Sequence, residues 1–110
     1  MEAVMAWFIL FLSGLLEIVW VSAMKASDGF TNITPSIITF VAAAVGFWLL
    51  GWAMRDLPMG TAYAVWVGIG AVGAFVVGVV WMQEPLSIAR VGSVGLIVAG
   101  IIGLRLSEGA

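Results

Sequence analysis

The spacing of the charges restricts this chain more than any other feature. Between Asp28 and Arg55, and again between Asp56 and Glu84, there is no charged residue, and the stretch from Ala3 to Met24 holds only one, Glu17. A helix that crosses the hydrocarbon layer, about 30 Å thick, needs roughly 20 apolar residues. The charges therefore act as punctuation between spans. They predict helices over about residues 4–24, 35–54, 60–82 and 87–106, which makes residues 1–110 a single transmembrane domain of all-α class. The turn-forming groups Asp28-Gly29, Arg55-Asp56-Leu57-Pro58 and Gln83-Glu84-Pro85 fall between the spans. Pro35 is acceptable in a first helical turn, where its missing N–H would have no intrahelical partner.

Composition then excludes alternatives. A chain of 110 residues that is 64% hydrophobic cannot bury that much apolar surface in a water-soluble domain, so the lipid bilayer is its solvent. Four basic residues against six acidic ones leave no basic patch for a nucleic acid. The absence of Cys and His, with the acids dispersed, removes disulfides, thiol chemistry and any arrangement resembling a metal site. The sequence thus predicts neither an enzyme nor a cofactor. The first apolar segment lacks a basic leader and a small-residue cleavage site, which predicts a retained helix and a mature chain that starts near Met1.

With four spans, Arg55 and Arg105 face one compartment while Lys25 and Arg90 face the other. Orientation follows an excess of Lys and Arg on the cytoplasmic side, and this balance provides none. Insertion in both orientations is the expectation, with an antiparallel dimer as its product. The alternative is that weak cues, including the N-terminal amine, enforce one orientation.

Glu17 lies deep in the first span, where comparable charges cost roughly 2.5 to 3.5 kcal/mol on insertion scales. No Lys, Arg or His occupies the middle of a span to pair with it. Loss of water favours the protonated form of a carboxyl and a neighbouring cation favours the ionised form, so a proton and a cation compete for such a group. That competition is the minimal basis for proton-coupled antiport. The structural alternative is a protonated Glu that hydrogen-bonds between helices.

Helical spacing puts Ser13, Gly14 and Trp20 near the face of Glu17. Tyr63 and Trp66, three apart in the third span, suit a cation beside a desolvated carboxylate. Each aromatic residue also has a reading as part of an interfacial belt, as do Trp7, Trp48, Trp52 and Trp81. Among the glycines of the third and fourth spans, Gly68 and Gly70 permit either a bend or close packing. Ser93 and Gly100 share one stripe of the fourth span, which suits a helix contact in a dimer.

The ordered set Gly14-Leu15-Leu16-Glu17-Ile18-Val19-Trp20, then Lys25, Ser27, Gly29 and Phe30, then Pro35-Ser36, and finally Leu57-Pro58-Met59-Gly60-Thr61-Ala62-Tyr63-Ala64-Val65-Trp66 resembles the small multidrug resistance family over nearly the whole chain. Trp20 and Glu84-Pro85-Leu86 resemble its guanidinium-exporter branch. The resemblance implies an antiparallel homodimer in a bacterial inner membrane, whose two copies of Glu17 share one site and exchange guanidinium for protons by alternating access. It implies that Trp20, Tyr63 and Trp66 line that site and that the fourth helix holds the dimer. Guanidinium suits this chemistry, since its N–H groups pair with carboxylate oxygens and its faces with aromatic rings. One departure stands out: the family generally has a serine where this chain has Gly46, which puts selectivity in question. Export of quaternary ammonium or aromatic cations is the runner-up, and one subunit of a heterodimeric pair is a further alternative. A proton-carrying rotor subunit, normally a two-helix hairpin, and a purely structural membrane protein are the readings outside transport.

Overall fold

The computed structural model describes residues 2–108, so the expected start near Met1 lies outside the described residues. Four helices account for nearly all of them: α1 (Ala3–Ala26), α2 (Ile33–Ala53), α3 (Met59–Trp81) and α4 (Ile88–Glu108). Each is long and apolar enough to cross a membrane, and the described residues form no strand. This is an all-α membrane fold with four transmembrane helices.

The helix ends follow local chemistry. α1 continues to Ala26 because Lys25 is accommodated in its last turn, where a cation complements the helix dipole. α2 begins at Ile33, two residues before Pro35, with Asn32 in extended conformation as its N-cap residue. Pro35 thus lies among the N-terminal residues whose N–H groups have no intrahelical acceptor. The α1–α2 turn winds through three successive positive-φ residues, Asp28 (51°), Gly29 (69°) and Phe30 (66°). Fully buried Ser27 organises it: its hydroxyl donates to Met24 O at 2.6 Å and accepts from Phe30 N at 3.0 Å. The unfavourable backbone of Phe30 is further offset by its ring, stacked on Phe40 at 5.4 Å.

At the other connection on that side of the bundle, Gln83 also takes positive φ (54°) and Glu84 N donates to Gly78 O at 3.0 Å. The carboxylate of Glu84 lies over Gly78, pairs with Arg90 at 3.6 Å, and Arg90 in turn sits 5.0 Å over the Phe75 ring. The guanidinium also donates to Pro85 O, so one side chain fastens the start of α4 to the end of α3.

Helix packing is unequal. α1 lies between α2 and α3 and makes most of the interhelical contact, α4 packs mainly on α3 and reaches α1 through Arg105 over Trp7, and α2 meets α3 little. The protomer is accordingly a slab, with extents of 44 × 35 × 16 Å. The core sits where α1 meets its two neighbours, around Leu10, Leu50, Ala53, Val65 and Trp66. None of the described side chains of Ile88–Ser107 is buried, which leaves α4 exposed on the edge of the slab.

Candidate functional site

Because α1 is central, its two lateral faces look at different partners. The carboxyl of Glu17 lies against α3 at Gly70. A Cβ on Gly70 would overlap Glu17 Oε1, so only glycine gives this carboxylate its place. Trp20, three residues on and adjacent on the helix surface, leans toward α2, with its indole nitrogen 3.8 Å from where a Cβ of Gly46 would be. Glu17 Oε1 and Trp20 Nε1 are both buried and neither has a hydrogen-bond partner. An unpaired buried polar atom of this kind costs about 1–3 kcal/mol, so each has the capacity to gain from a partner.

One turn earlier, α1, α2 and α3 are tied at a point. Trp66 Nε1 donates to Ser13 Oγ at 2.8 Å, and Ser13 Oγ donates to Gly46 O at 2.6 Å. Ser13 is fully buried and Trp66 is 3% exposed, so this relay satisfies two polar side chains inside the bundle. Trp66 is therefore an internal residue, not a member of an outward belt. Gly14 serves packing as well: a Cβ there would lie 2.7 Å from Ile69 Cγ2, and glycine lets α3 come close.

The rings form a continuous row. Trp20 and Phe47 have centroids 6.1 Å apart, Phe47 and Trp66 5.3 Å, and Trp66 and Tyr63 5.8 Å. The row runs from the buried Trp66 to Phe47 and Tyr63, 51% and 53% exposed, so it opens on the surface of the protomer. Phe47 joins these residues without having been singled out in the sequence. It follows Gly46, but an apolar residue in a helix that is apolar all round carries no signal of its own.

The remaining candidates are dispersed. α3 runs unbroken through Gly68 and Gly70, and Gly68 admits Ile101 of α4, whose Cδ1 would lie 2.7 Å from an added Cβ. Ser93 donates to Ala89 O within its own helix at 2.8 Å, and a Cβ at Gly100 would meet nothing within 4 Å. Their stripe is open in the protomer. The tryptophans also divide: Trp48 and Trp81 are exposed, whereas Trp7 packs on the core beneath Arg105, whose guanidinium carbon lies 5.1 Å from the ring centroid.

Comparison with known proteins adds an independent line. Residues 5–97 match a family model described as Small Multidrug Resistance protein. The chain is similar to a protein called guanidinium exporter from Yersinia pseudotuberculosis, 57% identical over 104 residues, which cover 94% of this chain and 100% of the relative. It is likewise 58% identical over 103 residues to one of that name from Citrobacter freundii, covering 94% of this chain and 98% of the relative. With a guanidinium exporter from Salmonella typhimurium strain LT2 the identity is 56% over 103 residues, and the coverage is again 94% and 98%.

Proposed function

As the chain belongs to the Small Multidrug Resistance family, we propose that it exports guanidinium or small guanidinyl cations in exchange for protons, by alternating access at Glu17. It is a transporter and not an enzyme. The observation that carries the specific reading is the Glu17 carboxyl, placed within α1 against Gly70 with one oxygen buried and unpaired. A guanidinium ion supplies the N–H donors that oxygen lacks, and its planar faces match the adjoining row of rings. A proton satisfies the same oxygen in its place. The near-complete match to relatives called guanidinium exporters supports this choice of cation.

The functional unit in this reading is an antiparallel homodimer in a bacterial inner membrane. The aromatic row that opens on the protomer surface and the open stripe of Ser93 and Gly100 support a second copy, which would bring a second Glu17 to the shared site. The balanced loop charges support opposite orientations. Electrogenic current on solid-supported membranes tests the proposal. Guanidinium should elicit current in the native chain and none in Glu17→Gln. Its apparent affinity should fall as pH falls, by up to about tenfold per unit once the proton wins the carboxyl. A current that survives Glu17→Gln would refute the reading.

A second reading, export of quaternary ammonium or aromatic cations, draws on the room beside Gly46 and on the aromatic row. It predicts current with tetrapropylammonium on the same membranes.

A further inference from the structure

Among the described residues, two side-chain polar atoms are buried without a hydrogen-bond partner, and they are complementary in kind: Glu17 Oε1 accepts and Trp20 Nε1 donates. Two other polar groups nearby are committed, since Trp66 Nε1 and Ser13 Oγ are used in the relay to Gly46 O. The cause of the unpaired indole is local. A Cβ on Gly46 would be 3.6 Å from Leu16 Cβ and 3.8 Å from Trp20 Nε1, ordinary contact distances, so a side chain fits there. Nor does the backbone demand glycine, because Gly46 lies inside α2 and has no positive φ. A hydroxyl at this position would come within reach of the indole N–H. Gly46 withholds that acceptor.

We propose that Gly46 is a specificity-determining residue: by leaving the Trp20 N–H without an internal acceptor, it fits the site to guanidinyl cations that carry a carbonyl beside the guanidinium group. This rests on the guanidinium reading above. Plain guanidinium has donors and no free acceptor, so it satisfies Glu17 and leaves Trp20 as it was. An acylguanidinium offers both, with N–H groups for the carboxylate and a carbonyl oxygen for the indole. Glu17 and Trp20 are three apart on α1, and side chains at that spacing rise from neighbouring points of the helix surface, about 5–6 Å apart at Cβ, so one ligand can touch both. Trp20 is part-buried and its indole N–H has no acceptor, whereas the N–H of Trp66 is held by Ser13, so of the two indoles only Trp20 has a donor to offer a ligand.

Isothermal titration of the purified full-length protein tests this with three ligands at one pH that keeps all of them protonated: guanidinium, acetylguanidinium and isopropylguanidinium, which matches the acetyl compound in shape but lacks the acceptor. The native chain should prefer acetyl over isopropyl by about threefold to tenfold, the range for one net hydrogen bond. Gly46→Ser, which gives the indole an internal acceptor, and Trp20→Phe, which removes the donor, should each bring that ratio near one. Gly46→Ala fills the notch without a hydroxyl and should keep the preference. In the native chain, the indole N–H resonance that disappears in Trp20→Phe should move with the acetyl ligand and not with the isopropyl one. A ratio near one in the native chain, or a preference that persists in both Gly46→Ser and Trp20→Phe, would overturn the proposal while guanidinium binding stands. Failure of the native chain to bind any of the three would overturn the guanidinium reading and this one together.

Discussion

The small groups around Glu17 divide by what they exclude. Gly70 must lack a side chain because the carboxyl lies where a Cβ would be, so Gly70→Ala is expected to expel the Glu17 side chain and weaken guanidinium binding at least tenfold, read by calorimetry. Ser13 acts through the relay that ties α1, α2 and α3. Ser13→Ala leaves the N–H of a 3%-exposed Trp66 without a partner, which should cost about 1–3 kcal/mol in reversible unfolding of the micelle-solubilised protein. Glu17 was legible in the sequence because a carboxyl in an apolar run stands out on charge alone. The division of labour around it was not. Ser13 was placed near the face of Glu17 with no sign that it ties three helices, and Phe47 was passed over, because a hydroxyl or a ring gives no sign in the sequence of the neighbour that uses it.

At the scale of helices, the spans were readable and their contacts were not. Charge and proline mark where a helix leaves the bilayer, whereas lipid makes every face of a span apolar and erases the periodicity that identifies the buried side in water. The glycines show the loss. Gly73 and Gly100 look alike in sequence, yet a Cβ on Gly73 would overlap Ile18 of α1 and one on Gly100 would meet nothing. Gly73→Ala should therefore destabilise the protomer by about 1–3 kcal/mol in the same unfolding measurement. Gly100→Leu should leave protomer folding intact and, if α4 carries the second copy, shift the protein from dimer to monomer in crosslinking. These outcomes separate packing within the protomer from packing between copies.

At the scale of the molecule, the two-against-two balance of Lys and Arg is the weakest of orientation signals. Reporters on the C-terminus should detect both orientations. Lysines at Gln83 and Leu86, exposed positions on the side of Lys25 and Arg90, should force one orientation and abolish transport. Co-expression with a chain biased the opposite way, by lysines at Met59 and Ser107, should restore it. The central place of α1 constrains how such a dimer works. The carboxylate leans on α3 and the indole on α2, yet both ride on one rigid rod. Both are seated at once, the acid against Gly70 and the indole beside Gly46. α1 is thus a shared axle: a shift of either neighbouring helix along it disturbs one of the two groups, and a turn of α1 itself disturbs both.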